Sequence, residues 1–171
     1  MNIRSLLRPH LRNFSPYHSA RHEAGNTEGR ILLDANENNF GGPLPGQWHR
    51  YPDPLQETLK NEIAHLKGIA ENNLFLGNGS DEAIDLLMRA FGEPGKDKIL
   101  IMPPTYGMYT VAARLNNLAV VEVALQPDFQ IGLSAALATL KREKNIKLVF
   151  LCSPNNPTGN LLSETQLEAI L

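Results

Sequence analysis

The 171-residue chain has one cysteine, Cys152, and almost no excess charge: 16 lysines and arginines stand against 18 acids, a formal net charge of −2. A single thiol excludes an internal disulfide framework, and at the end of an apolar run Cys152 reads as a small core residue rather than a nucleophile. So balanced a chain has no basic field with which to hold nucleic acid or an anionic membrane surface. The local cluster Arg4, Arg8, Arg12 and Arg21 is interleaved with apolar and polar residues, as in an interacting arm. No run reaches the ~18 apolar residues of a membrane span, and the opening residues lack the apolar segment of a secretory signal. A cytoplasmic protein with neither nucleic acid nor membrane as partner is expected. The five histidines, His10, His18, His22, His49 and His65, show no metal-ligand spacing, so no metal site is expected. There is no Gly-x-Ser-x-Gly elbow, which removes the commonest hydrolase reading of an α/β chain. What is present, 42% hydrophobic and 20% charged residues, is enough for one sizeable core.

Three stretches follow from the local patterning. Residues 1–30 carry no sustained period and contain Pro9, Pro16, Gly25 and Gly29, which predicts an extended arm with room for one short helix. Residues 31–54 join Ile31-Leu32-Leu33 to an asparagine-rich and then glycine-proline-rich segment, too polar for core. Residues 55–171 are regular. Asp53 as cap, Pro54 at the first turn and Leu55, Leu59, Ile63 and Leu66 at helical spacing predict a helix ending at Gly68. Leu74-Phe75-Leu76 reads as a brief strand, followed by a helix with Ile84, Leu87, Met88 and Phe91 on its apolar face. A strand near 98–102, a helix over 106–115 bearing Met108, Val111, Ala112 and Leu115, and a strand near 118–124 come next. Ser134 is placed to cap a helix bearing Leu137 and Leu140, and the strand 147–151 follows. Alternating strands and helices imply βαβ units, hence an α/β fold whose mainly parallel sheet is covered on both faces.

Three strand ends carry the chemistry. Leu76-Gly77-Asn78-Gly79-Ser80-Asp81-Glu82 puts permissive residues at a helix start, where free N–H groups bind phosphate; an ordinary glycine turn with first-turn acids explains the same residues. Pro103-Pro104-Thr105-Tyr106-Gly107-Met108-Tyr109 offers Tyr106 as a plate for a planar ligand, with packing as the alternative for either tyrosine. Ser153-Pro154-Asn155-Asn156-Pro157-Thr158-Gly159 stiffens a turn while leaving amide side chains free to donate; a plain strand-to-helix connection is the competing reading. Ligands in open α/β sheets sit at the carboxyl ends of the strands, so these features suit one phosphorylated aromatic cofactor, and pyridoxal phosphate matches each.

Together with Asn36-Glu37-Asn38, Arg50-Tyr51-Pro52 and the arm residues Phe14-Ser15-Pro16-Tyr17 and Ala20-Arg21, these motifs resemble, in order and over essentially the whole chain, those of histidinol-phosphate aminotransferases, fold-type I pyridoxal-phosphate enzymes. The resemblance implies a three-layer αβα large domain, here incomplete, preceded by an N-terminal arm. It also implies an exchange of the amino group between L-histidinol phosphate and 2-oxoglutarate in histidine biosynthesis. On that resemblance Gly79, Ser80 and Asp81 hold the cofactor phosphate, Tyr106 stacks on the pyridine ring and Asn156 donates to its phenolic oxygen. Tyr51 reaches the neighbouring site of a homodimer, Tyr17 and Asn36 lie near the amino donor or the phosphorylated keto substrate, and the segment 31–54 lies near substrate and dimer interface.

The family's Schiff-base lysine, its acid partner to the pyridine nitrogen and its carboxylate-binding arginine all follow the Asn156 motif, beyond Leu171. The seven lysines present, Lys60, Lys67, Lys96, Lys98, Lys141, Lys144 and Lys147, read as solvated surface charges, so no catalytic residue is assigned within the chain. Ser163 with Gln166 reads as a capping box opening a helix that the chain leaves after about two turns, which suggests a truncated chain. The competing expectations are an inactive remnant, or another fold-type I enzyme such as a threonine-phosphate decarboxylase.

Overall fold

A computed structural model describes residues 2–17, 31–46 and 48–171. Ala20 and Arg21 of the arm motif, and His18 and His22, fall outside the described residues. The chain divides into two compact units, one of Met1–Asn13 with Gly77–Leu171 and one of Phe14–Leu76.

The first unit is built on strands β1 (Lys98–Ile101), β2 (Ala119–Glu122) and β3 (Ile146–Val149), in the order β2-β1-β3 with both pairings parallel. Lys98 faces Ala119 and Ile146, and the register slips on the β3 side between Lys98 and Ile99, so that Ile99 faces Leu148. Alternation along β1 divides the core. Ile99 and Ile101 pack with Ile84 and Met88 on one face, whereas Leu100 and Met102 pack with Ile131 and Ala136 on the other. The first layer is supplied by helices α2 (Gly79–Phe91) and α3 (Met108–Leu115), the second by α4 (Leu133–Arg142) and α5 (Glu164–Ile170). Parallel strands buried on both sides need continuous apolar runs, and Lys98-Ile-Leu-Ile-Met102 supplies one. Met88, Ile99, Leu100 and Ile131 are fully buried, each stabilising the unit by roughly 1.5–3 kcal/mol. The α/β reading with a parallel sheet between two helical layers therefore holds.

Local expectations shift where tertiary contacts decide. The helix α1 (Glu57–Lys67) begins after Pro54 and Leu55, not at them: Gln56 takes a left-handed conformation, and the Asp53 carboxylate accepts from the N–H groups of Leu55 (2.9 Å) and Glu57 (2.8 Å) across the intervening turn. Leu74–Leu76 forms no strand, because no described strand pairs with it. In α3 the buried residues are Tyr109, Ala112 and Ala113, while Val111 and Leu115 are exposed. Thr110 and Arg114 give that helix one polar side, and the face set away from them, Tyr109, Ala112 and Ala113, is the one turned to the core. Ser134 lies inside α4, whose N-cap position is Gly132. Ser163 does precede α5, but Gln166 turns away from it and accepts instead from the N–H of Ile131 at 3.1 Å.

α2 is closed by Gly92, where no side chain fits. A Cβ there would stand 2.5 Å from Leu118 Cδ1 and 3.0 Å from the carbonyl oxygen of Met88. Residues 2–12 form two short 3₁₀ turns, Ile3–Leu6 and Pro9–Leu11. Arg8 docks them on the end of α2: its N–H donates to the Ala90 carbonyl (2.9 Å) and its guanidinium to that of Arg89 (3.2 Å), where a cation meets the negative end of the helix dipole. No described helix is long and apolar enough to cross a membrane.

Candidate cofactor site

Because all three strands run the same way, the loops leaving β1, β2 and β3 share one edge of the sheet. α2 runs toward the start of β1, so its N-terminus returns to that same edge. There Gly79 has φ +78° and nothing within 4 Å of where a Cβ would be, and no side chain caps the helix at Asn78. The first-turn acids are engaged elsewhere. Glu82 accepts from the backbone N–H and, at 3.2 Å, the side chain of Asn78, and Asp81 accepts from the Tyr106 hydroxyl at 3.0 Å. Ser80 is exposed beside them. The helix start thus keeps N–H groups and a hydroxyl directed at solvent, at the positive end of its dipole.

Tyr106 leaves the loop after β1 and meets Tyr109 edge-on, ring centroids 5.7 Å apart; Tyr109 in turn stacks on Phe150 at 4.7 Å. This aromatic series runs from the rim into the core. The hydrogen bond to Asp81 raises the Tyr106 phenol above its ordinary pKa, with burial and the carboxylate charge adding to it. Tyr109 is pushed well above the ordinary range, first by burial and then by the neighbouring Cys152.

The loop after β3 carries two asparagines with opposite fates. Asn156 is exposed and its side chain makes no hydrogen bond among the described residues, whereas Asn155 is only 4% exposed. Asn155 Nδ2 donates to the carbonyl of Pro104 (2.9 Å) and to the hydroxyl of Thr158 (2.6 Å), joining this loop to the one after β1. Its importance is invisible in the sequence, where two adjacent asparagines look alike. Gly79, Ser80, Asp81, Tyr106 and Asn156 therefore come to one rim.

Tyr17, Asn36 and Tyr51 belong to the other unit. Tyr17 and Tyr51 are largely exposed, and Asn36 takes a left-handed φ of 52°. Glu37 joins the two motifs of this unit. Its carboxylate, with the side chain only 3% exposed, receives Arg50 Nη1 at 2.8 Å and the backbone N–H of Tyr51 at 2.6 Å. Glu37 and Arg50 stand in separate motifs 13 residues apart, so no local period pairs them; the opposite charges flanking Asn36 and Tyr51 are the one signal of the bond in the sequence.

Comparison with known proteins adds what geometry cannot. The aminotransferase class I and II family matches residues 35–171. This chain belongs to that family. Among relatives of the aminotransferase chain, the histidinol-phosphate aminotransferase of Cytophaga hutchinsonii is 49% identical over 170 residues, covering 99% of this chain and 48% of the relative. The chain spans about half the length of the curated relatives it matches. Histidinol-phosphate aminotransferase from Sinorhizobium meliloti, solved in complex with pyridoxal-5'-phosphate, superposes with a TM-score of 0.65 at 25% identity, over 80% of this chain and 40% of that one. L-threonine-O-3-phosphate decarboxylase from Porphyromonas gingivalis also matches, with a TM-score of 0.54 at 25% identity over 71% of this chain and 34% of that one.

Proposed function

We propose that this chain supplies the phosphate cradle, ring plate and amide donor of a pyridoxal 5'-phosphate site in a transaminase. In that reading the protein moves an amino group reversibly from L-histidinol phosphate to 2-oxoglutarate, giving imidazole-acetol phosphate and L-glutamate, in cytoplasmic L-histidine biosynthesis. The observation that carries it is the 3.0 Å bond from Tyr106 to Asp81, which sets an aromatic ring beside a helix start suited to an anion. The 49% identity to a histidinol-phosphate aminotransferase over nearly the whole chain supports the choice of substrate.

The residues fit the group. Uncapped N–H groups, the open Gly79 and the Ser80 hydroxyl suit a phosphate dianion. Asp81, whose carboxylate opposes an anion, has part of that charge taken up by the Tyr106 hydroxyl. Tyr106 limits the tilt of the pyridine ring, and Asn156, with its amide uncommitted, donates to the phenolic oxygen. When bound, pyridoxal phosphate supplies the electron sink of the reaction. Tyr51 reaches the phosphate of a neighbouring subunit in a homodimer, Tyr17 and Asn36 contact substrate, and the segment 31–54 lies near substrate and dimer interface.

The five lysines of the sheet unit do not serve this rim. Lys96, Lys98, Lys144 and Lys147 lie in or just before the amino ends of β1 and β3, and Lys141 sits in the last turn of α4. Lys98 is engaged with Glu143 at 2.9 Å. We therefore assign the Schiff-base lysine to none of them and expect the 171-residue chain alone to be inactive in transamination.

The match to a threonine-phosphate decarboxylase favours one alternative chemistry on the same cofactor. Glutamate-dependent amino transfer against release of carbon dioxide, assayed with the complete gene product, separates the two. Asn156→Ala in that protein should change the visible absorption of the bound cofactor; a spectrum unaltered at every pH would remove Asn156 from the site.

A further inference from the structure

The rim is stitched by a single run of amides. From Asn155 the bonds continue through the Thr158 hydroxyl to Asn160 Oδ1, and Asn160 Nδ2 donates to the carbonyl of Phe129 at 3.0 Å. Backbone bonds close the turn around it, from Asn155 N–H to the Asn160 carbonyl (2.8 Å) and from Gly159 N–H to the Asn155 carbonyl (2.7 Å). Pro104 follows β1, Phe129 follows β2 and residues 155–160 follow β3, so the run ties together the loops of all three strands. Asn155 is its pivot: it is buried, and its amide nitrogen donates both to Pro104 in the loop after β1 and to Thr158 within its own loop.

We propose that Asn155 is the positioning residue of this rim, fixing the loop that carries Asn156 against the loop that carries Tyr106. The inference rests on the reading of Asn156 and Tyr106 as cofactor contacts, and it makes the buried asparagine as necessary to the site as the exposed one. The physical reason is donor chemistry. The Pro104 carbonyl and the Thr158 oxygen are both acceptors toward Asn155, and a buried side chain that serves two acceptors at once needs two N–H hydrogens, which an amide has. Aspartate has the same shape and lacks both hydrogens.

Three readouts test it. In the unmodified protein, the two side-chain amide protons of Asn155 should exchange slowly with solvent in nitrogen-15 NMR spectra, and exchange as fast as that of a free amide would overturn the proposal without any variant. Asn155→Asp, with Asn155→Ala as the second variant should the first fail to fold, should loosen the loop two residues before Tyr106 and weaken its bond to Asp81. The Tyr106 phenol, assigned by comparison with Tyr106→Phe, should then titrate closer to its ordinary 10.0. Loss of global stability alone would not move that titration in the folded fraction. In the complete protein loaded with pyridoxal 5'-phosphate, either variant should raise the cofactor's dissociation constant by about tenfold and displace its absorption in the direction seen for Asn156→Ala. A folded Asn155→Asp protein with the Tyr106 titration and the absorption both unchanged would overturn the proposal. If Asn156→Ala itself leaves the absorption unchanged, Asn156 is removed from the site, and the Tyr106 titration still decides the role of Asn155.

Discussion

The two compact units fix their exposed side chains by opposite means. In the sheet unit, Gly79, Tyr106 and Asn156 project from the ends of elements whose other faces are buried in two apolar clusters around β1. In the unit 14–76, Ala64 is the one described residue that is buried, and Tyr51 is held instead by a carboxylate beneath it. Apolar burial is non-directional and tolerates small changes of shape; a buried ion pair depends on both partners. Side chains in the first unit should therefore answer to volume, and those in the second to charge.

The sharpest way to break the first half of that contrast is Ile99→Ala. Removing a fully buried side chain from the central strand should destabilise the sheet unit by about 2–5 kcal/mol, read as a lower urea midpoint of the far-ultraviolet signal. For the other unit, Glu37→Gln keeps the volume and removes the charge. With Arg50 28% exposed, the cost should be about 2 kcal/mol. The backbone N–H of Tyr51, which donates to Glu37, reports it directly, and its nitrogen-15 NMR resonance should shift and be lost at lower urea. A substitution at Glu37 that left the Tyr51 amide resonance unmoved would show that the carboxylate is not what holds Tyr51.

The smallest effect separates pH responses at the two ends of β1. At the amino end, bonds from Lys98 and then Arg142 hold Glu143 below the ordinary carboxylate value. A lowered folded value stabilises the protein above the unfolded pKa near 4.5, and that contribution fades as pH falls through the folded value. At the carboxyl end, Tyr106 holds its proton more tightly when folded, so its contribution is complete below pH 10.0 and declines as pH rises toward the folded value. Lys98→Met should raise the Glu143 titration, seen by carbon-13 NMR, and leave that of Tyr106 where it is. Movement of both would mean that the two ends are coupled through the strand.

How much of this could be read from the residues follows the same division. The run 98–102 announces a strand buried on both sides, and the glycines at 79 and 92 mark the two ends of α2, because these signals are local. Gln166 reads as a capping partner of Ser163, yet it bonds to Ile131, 35 residues away; no local period encodes that. The face of α3 is shifted from the expected one, because its larger apolar residues Val111 and Leu115 are exposed while the smaller Ala112 and Ala113 pack inward. At the site, Tyr106 and Asn156 were legible as residue types at strand ends. Asn155 and Glu37 were not, because a supporting role depends on what a side chain touches.

The central claim is that loops at one edge of a parallel sheet form part of a pyridoxal-phosphate site. Titrating pyridoxal 5'-phosphate into the nitrogen-15-labelled chain and following its amide resonances tests this most directly. The account predicts saturable shifts that appear together at Gly79, Ser80, Tyr106 and Asn156, while Lys98 and Lys147 at the opposite edge stay still. Shifts confined to that opposite edge, or none at the four rim residues at saturating cofactor, would contradict it.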